Sequence, residues 1–495
     1  MSAPRVAFVG YQFGAGCALR GRWPASALGY RYFSKPEQMG HKKTWDIIFL
    51  IKYALNDSGR MIRQRCGRLV LDVLDGWGTN CAKDASTMSA SAFWRHIHRE
   101  IKFDDILATT PSAYDSIRSA LCLKAGSGAP SVHYAPHQCD HRLKPAYNPR
   151  GPVVYVGSMK YLNAAVPQLD QACRKLGRRL IVGYRHHPEM LHGASLALAL
   201  RCGKMRGELP AVAKPQIKLE NAAAVGLPVL ASAHPCCLSA RPECVFADDG
   251  PKTVSDWCEL IDRALSSKPL ENPYRMEHHL QVLQSIIDGK QVPPPAGTQV
   301  NLGCGRKKYD GFLGIDLYSR FAHIQQDLRV VELPNQSVRL ALLIHVLEHL
   351  PRPDGMALLR KVCGWLLPGG CLHIEVPDLN KCRHLIKEGT KLEDKKLALQ
   401  GLLGLAGGRR RRQDEWGDWL IDNTRSWYKH AGSDDLLASI PDEWKEPGAA
   451  HVAMWTEESV RKALIEAGFR YVTETEGCFG HGVGRERDSY LIGWK

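Results

Sequence analysis

Val300-Asn301-Leu302-Gly303-Cys304-Gly305-Arg306-Lys307-Lys308-Tyr309-Asp310-Gly311-Phe312-Leu313-Gly314-Ile315-Asp316 decides the fold of the second part of the chain. An apolar run, Val300 to Leu302, ends in Gly-x-Gly, and after a loop a second apolar run ends in an acid. The order strand, glycine loop, strand, acid suits a nucleoside cofactor. Glycines let the backbone approach the ligand, and a carboxylate closing the next strand accepts hydrogen bonds from ribose hydroxyls. Gly-x-Gly after a strand also makes an ordinary tight turn, so the residues downstream carry the decision.

Downstream come Ile324-Gln325-Gln326-Asp327-Leu328, the apolar run Leu340 to Ile344, and His345-Val346-Leu347-Glu348-His349-Leu350. A helical stretch over 354–366, the turn Leu367-Pro368-Gly369-Gly370 and a strand over 372–376 ending in Pro377-Asp378-Leu379 complete the series. Over roughly 298–495 this resembles the class I S-adenosylmethionine (SAM)-dependent methyltransferases, in particular a compact group with Leu-Gly-Cys-Gly, Leu-Glu-His and Leu-x-Pro-Gly-Gly. The resemblance implies a Rossmann-like domain in which Gly303, Cys304 and Gly305 border the methionine part of SAM, Asp316 binds ribose, and Asp327 with Leu328 lies near the adenine. His345 either lines the acceptor pocket as a catalytic candidate or is a packed, capping histidine. His345-x-x-Glu348-His349 also has the spacing of a zinc-peptidase motif, but it stands where the methyltransferase order places a strand and helix.

Residues 380–450 interrupt the pattern with Arg409-Arg410-Arg411-Arg412 and Trp416, Trp419, Trp427 and Trp444, an insertion expected on the acceptor side. Residues 456–469 read as an amphipathic helix with a glycine stop, preceded by His451 and Trp455. Strands at 471–473 and 490–492 are expected to complete the sheet.

In residues 1–290 apolar runs alternate with helix-permissive stretches. Strands are predicted at 6–9, 47–51, 69–73, 106–108 and 132–134, then from Val153 and at 180–182 and 229–231. Such alternation predicts parallel sheets covered by helices, with sites at the carboxyl ends of strands. The loop Gly10-Tyr11-Gln12-Phe13-Gly14-Ala15-Gly16 suits a ligand cradle or a plain flexible turn. Pro136-His137-Gln138-Cys139-Asp140, Val154-Tyr155-Val156-Gly157-Ser158, and Pro215 through Leu230 with its Gly226-Leu227-Pro228-Val229 turn resemble glycosyltransferases of the two-lobed GT-B fold, over roughly 4–285. That resemblance implies a nucleotide-sugar donor, UDP-linked by expectation, held by Gly157, Ser158, Arg185, Lys218, Glu220 and Asn221. Lys218 stands near a helix start, where a diphosphate is favoured by the helix dipole, and Glu220 suits ribose hydroxyls. The family often has Glu where Asn221 stands. Asp72 and Asp75, at the end of the strand over 69–73, are the candidate general bases for an acceptor hydroxyl, with structural capping the alternative.

The chain has 495 residues, which suggests two to four domains. Expected boundaries are 1–145 and 146–290 for two lobes, 291–297 for a Pro-rich spacer, and 298–495 for the methyltransferase domain. Residues 1–300 hold 38 basic and 24 acidic side chains, against 28 and 27 afterwards, so the first part carries the positive field. An anionic partner fits there, as does a merely solvated basic face. Sixteen cysteines without a secretory leader predict reduced thiols and a cytoplasmic location. His234-Pro235-Cys236-Cys237 with Cys244 lacks paired Cys-x-x-Cys arms, which argues for buried thiols over zinc.

These readings predict an α/β enzyme that transfers a sugar and methylates the product. The favoured acceptor is DNA with hydroxymethylated bases, whose target base would be flipped out of the duplex. A surface polysaccharide is the alternative acceptor. A third possibility is a methyltransferase carrying a non-catalytic binding module.

Overall fold

The computed structural model describes residues 3–10, 17–40, 44–51, 61–72, 90–121, 129–157, 162, 165–183, 187–201, 212, 216–247, 253–290, 292–388, 453–475 and 486–495, and among these described residues seventeen strands form three sheets. The chain divides into two compact units, Met1–Ala296 and Gly297–Lys495.

The first unit opens with a six-stranded, wholly parallel sheet. Its strands are β1 (Val6–Val9), β2 (Arg31–Phe33), β3 (Trp45–Ile51), β4 (Cys66–Asp72), β5 (Asp105–Ala108) and β6 (Ser131–Tyr134), in spatial order β2-β1-β3-β4-β5-β6. A parallel sheet is covered on both faces, so the middle stretches of its inner strands are apolar, as in Ile47–Ile51 and Leu69–Leu71. Along β3, Ile48 and Leu50 enter one core while Ile47, Phe49 and Ile51 enter the other, as the two-residue strand period requires. Between these strands run helices α1 (Trp23–Ala27), α2 (Ala90–Ile101) and α3 (Pro111–Leu121).

A second parallel sheet follows, of order β11-β10-β9-β7-β8, from β7 (Val153–Val156), β8 (Leu180–Gly183), β9 (Leu196–Ala199), β10 (Val229–Ser232) and β11 (Val245–Ala247). Its helices are α4 (Val166–Lys175), α5 (Ile217–Val225), α6 (Pro235–Ala240) and α7 (Val254–Leu265), and α8 (Met276–Ile287) closes the unit. Leu283 and Ile286 of α8 pack into the core of the first sheet, so the chain returns to its starting lobe. α5 is buried from Leu219 to Val225 rather than lying on the surface, and Gly226 at φ +79° supplies the left-handed stop.

Three strands here were not expected from sequence. Arg31–Phe33 and Val245–Ala247 have three residues each and lie at sheet edges. Leu196–Ala199 reads Leu-Ala-Leu-Ala, a composition that favours helix, yet it is the central strand and fully buried. Burial on both faces overrides the local preference.

The second unit holds the third sheet, β13-β12-β14-β15-β17-β16. Its strands are β12 (Thr298–Leu302), β13 (Phe312–Ile315), β14 (Val338–Ile344), β15 (Leu366–Pro377), β16 (Tyr471–Glu474) and β17 (Asp488–Trp494), with β17 antiparallel to both neighbours. Helices α9 (Arg352–Trp365), α10 (Leu379–Glu388) and α11 (Glu457–Glu466) flank it. A capping box at Thr456 starts α11 and Gly468, at φ +104°, follows its end. Two local expectations change. Residues 347–349 form a single short 3-10 turn rather than a longer helix. The Leu367–Gly370 turn is absorbed as an irregularity near the start of the longer strand β15, where the pairing with β14 slips between Val338 and Leu340. Residues 389–450, including Arg409–Arg412 and the tryptophans, lie outside the described residues.

Candidate functional site

In the second unit β12 and β13 are adjacent and parallel, so the glycine loop and Asp316 emerge side by side at the carboxyl edge. Gly303 has φ +67°, and a Cβ on it would stand 2.4 Å from Val346 Cγ2, so the loop's course there requires glycine. The backbone N–H groups of Gly303 and Cys304 both donate to Ile315 O, at 2.7 and 3.2 Å. Asp316 ties the loop together. Its Oδ2 accepts from Gly305 N at 2.8 Å, and its Oδ1 accepts from Tyr318 N and Ser319 N, each at 2.8 Å. Ser319 Oγ in turn donates to Gly305 O. A carboxylate has about four acceptor positions, so one direction at Oδ2 remains for a ligand hydroxyl rather than a symmetric grip on two.

These residues wall an open cleft of about 530 Å³ lined by Gly305, Arg306, Asp316, Tyr318, Ser319, Arg320 and Phe321. Tyr318 is 75% exposed, an unusual state for a large aromatic side chain unless a partner covers it. Tyr318, Arg320 and Phe321 were missed from sequence. The signal was present in the aromatic residues that follow the strand-ending acid. Asp327 and Leu328 follow Gln326, whose N–H donates to Asp316 O at 3.2 Å. Asp327 is paired with Arg329 at 2.6 Å, and Leu328 is buried in the hydrophobic core, because its apolar side chain packs under the sheet's edge. Cys304 is buried, and burial, then the neighbouring Asp316 charge, raises its thiol pKa.

His345 follows the last residue of β14 at φ +51°, a left-handed conformation that costs a non-glycine residue about 1–3 kcal/mol. Its N–H donates to Glu375 O at 2.8 Å. Its ring stands between buried acids, with Nδ1 3.0 Å from Glu348 Oε1 and Nε2 3.1 Å from Glu375 Oε1 and 3.6 Å from Asp488 Oδ2. Burial opposes a charge on the ring, but the bonds to Glu348 and Glu375 outweigh it and raise the pKa to about 10. With both nitrogens protonated, the ring donates to Glu348 from Nδ1 and to Glu375 from Nε2. Glu375 and Asp488 were not singled out from sequence, and Glu348 was noted only within the His345-x-x-Glu348-His349 spacing. Glu348 and Glu375 are 27 residues apart and Asp488 lies 113 residues beyond Glu375, and the sheet brings them together.

In the first unit β7 and α5 bring Gly157 and Lys218 together. Lys218 Nζ lies 3.9 Å from the centre of the Tyr155 ring, and a Cβ on Gly157 would meet it at 2.6 Å. Glu220 is committed elsewhere. It accepts from Arg241 through both oxygens, at 2.9 and 2.6 Å, and from Tyr274 N at 2.7 Å. Asn221 Oδ1 accepts from Asp140 N at 2.9 Å, which fastens α5 to the segment joining the two sheets. Both side chains are buried as fasteners because α5 is an interior helix.

Asp72 is also enclosed. Its Oδ2 meets Arg20 Nε at 2.8 Å with neither side chain exposed, and Arg20 Nη1 donates to Ala135 O, Pro136 O and His279 Nδ1. Burial raises the Asp72 pKa against the lowering effect of Arg20. A side chain in that position braces the lobe and does not reach solvent. Asp75, Ser158 and Arg185 lie outside the described residues. The thiols of Cys236, Cys237 and Cys244 are buried, and desolvation drives the Cys244 pKa upward. At the amino ends of β5 and β6, Arg63, His98, Arg99 and Lys102 line a second cleft of about 530 Å³.

No protein-family model matches the chain, and no curated protein does. Among solved structures, a SAM-dependent methyltransferase from Mesorhizobium loti is 20% identical, with 41% of this chain and 94% of that one covered and a TM-score of 0.23. A SAM-dependent methyltransferase from Thermotoga maritima, described as a possible histamine N-methyltransferase, is 14% identical over 41% and 83%, with a TM-score of 0.23. A GtfA/B complex is 12% identical over 51% of this chain and 59% of that one, with a TM-score of 0.34. The chemistry therefore rests on the chain's own residues.

Proposed function

We propose that Gly297–Lys495 is a SAM-dependent methyltransferase and that Met1–Ala296 is a sugar-transferring module on the same chain. The observation that carries the first half is the knot of Asp316 with the N–H groups of Gly305, Tyr318 and Ser319 beside an open cleft. Bound SAM would bring a methyl group already activated by its sulfonium. The chain's part is then positional. Asp316 Oδ2 receives a ribose hydroxyl, Tyr318 and Phe321 offer faces to the adenine, and the Gly303–Gly305 backbone runs beside the methionine portion, where Arg306 offers a cation to its carboxylate. Holding the methyl in line with the acceptor oxygen supplies most of the acceleration.

For the first unit, sugar transfer from a nucleotide-sugar donor is supported by Lys218 beside Gly157 at the carboxyl end of β7, where a diphosphate would sit. The positive surplus of residues 1–300 and a cleft in which Arg99 and Lys102 stand beside the Arg63–Asp104 ion pair favour a polyanionic acceptor, with DNA carrying hydroxymethylated bases ahead of a surface glycan. A second reading has a specific observation behind it. Glu220, the candidate ribose ligand, is held by Arg241 and Tyr274, as it would be in a module that binds substrate without transferring sugar.

Mass spectrometry of acceptor DNA and glycans, incubated with mixed nucleotide sugars with and without SAM, tests all of this. A hexose-sized increment followed by a methyl increment is the expected result. A methyl increment alone would leave the binding-module reading, and absence of SAM binding in calorimetry would end the methyltransferase reading. Loss of sugar transfer in Lys218→Ala with the fold intact would separate catalysis from binding.

A further inference from the structure

The side chains gathered at His345 are more than an ion pair. Three carboxylates, of Glu348, Glu375 and Asp488, are each at most 4% exposed and converge on one imidazole. Among the described residues, Arg487 Nε lies 3.2 Å from the other oxygen of Asp488, so the cluster holds buried groups of both signs. Buried charge of one sign is costly unless neutralised.

The arrangement has direction as well as charge. Glu348 takes Nδ1 alone, whereas Glu375 and Asp488 both approach Nε2, at 3.1 and 3.6 Å. One Nε2–H bond cannot point at both oxygens. A cation between them solves that, with Glu348 then accepting from Nδ1–H and fixing the tautomer, the usual relation between a ligating histidine and its orienting carboxylate. Distances agree. One ligand atom from each of His345, Glu375 and Asp488 lies within 4.8 Å of the others. A divalent ion about 2.0–2.2 Å from each ligand separates neighbouring ligands by about 2.8–3.6 Å in octahedral or tetrahedral geometry, a range that holds both distances to Nε2. The three come from the carboxyl ends of β14 and β15 and from the start of antiparallel β17, so they share the sheet edge from which the glycine loop emerges. At that edge α/β sheets bind their ligands.

We propose that His345, Glu375 and Asp488 form a divalent-cation site, with Glu348 as the orienting carboxylate. One imidazole and two carboxylates select a borderline or hard ion such as Mn²⁺, Mg²⁺ or Zn²⁺. The remaining coordination positions would take water or an oxygen of the acceptor and lower the pKa of a bound hydroxyl. Only that last role rests on the methyltransferase reading. The coordination itself stands without it.

The test is titration of the full-length, chelator-treated protein with Mn²⁺ alone, followed by electron paramagnetic resonance of the free ion, and in parallel with Zn²⁺ by calorimetry. Wild type is expected to take one ion per chain at this site. Glu375→Gln and Asp488→Asn, which preserve shape, are expected to lose most of that binding, and Glu348→Gln to weaken it about 10-fold or more. Circular dichroism and calorimetric SAM binding report separately on the fold and on the cofactor cleft. The proposal is overturned if folded wild type binds neither ion at millimolar concentration. It also fails if the folded Glu375→Gln and Asp488→Asn variants bind as tightly as wild type. Retained SAM binding alongside such a failure would leave the methyltransferase reading intact.

Discussion

Replacing Asp316 with Asn removes one oxygen and one charge from the centre of the cofactor cleft while barely changing volume. The amide would keep its carbonyl oxygen towards Tyr318 N and Ser319 N, where two bonds of 2.8 Å exist now. Its NH2 group would then face Gly305 N–H, which presently donates to Oδ2 at 2.8 Å, so donor would meet donor. Loss of a bond to a charged acceptor costs about 1.5–3 kcal/mol, and the two surviving bonds weaken towards the neutral value of about 1 kcal/mol each. Water reaches this half-buried loop and recovers part of the loss. What remains for cofactor binding is on the order of 2 kcal/mol, or about 30-fold in affinity. Isothermal titration of SAM and of its demethylated product into wild type and Asp316→Asn measures it, with the urea midpoint of the second unit as a control for folding. An affinity within about threefold of wild type would refute the assignment of this cleft to the cofactor.

Gly303→Ala must place a methyl group 2.4 Å from Val346 Cγ2 at φ +67°, so SAM binding should be lost and the second unit destabilised by about 1–3 kcal/mol in urea. Arg20→Met leaves the Asp72 carboxylate enclosed without its partner, and the first unit should lose about 3–5 kcal/mol, much of it regained when Asp72→Leu is added. Protonation is disfavoured in two histidines of the first unit, His279 buried and His234 half-buried. Burial, then Arg201, lowers His234 to about 4, and burial, then Arg20, lowers His279 well below its ordinary value. Unfolding frees both to take up protons, so stability is full above an ordinary histidine pKa of about 6.5 and falls on acidification by about 1.4 kcal/mol per pH unit for each. Urea midpoints at pH 7 and pH 5 should show the drop, and His234→Gln should flatten it. An unchanged slope in that variant would contradict the assignment.

Much of the architecture was legible because parallel strands bury both faces and must be apolar. Runs such as Ile47–Ile51 and Leu340–Ile344 therefore announce themselves. Elements that failed this test were missed. Leu196–Ala199 carries helix-favouring residues, and Arg31–Phe33 is short and partly exposed at an edge. Among described residues, helix ends followed local rules, as at Gly226 and Thr456.

Function divides along the same physical line. The stretch Val300–Asp316 by itself determined a strand, a glycine loop and an acid-capped second strand, because those features depend on neighbours in sequence. Tertiary structure decided what each side chain does. It spent three of the acceptor positions of Asp316 on the loop, enclosed Asp72 with Arg20, and committed Glu220 to Arg241 and Tyr274. It also gathered Glu375 and Asp488 around His345 and Glu348 from segments outside the motif those two share. Hydrogen-bond partners and buried charge depend on which strands lie side by side, and that is set by packing over the whole sheet rather than by any window of sequence.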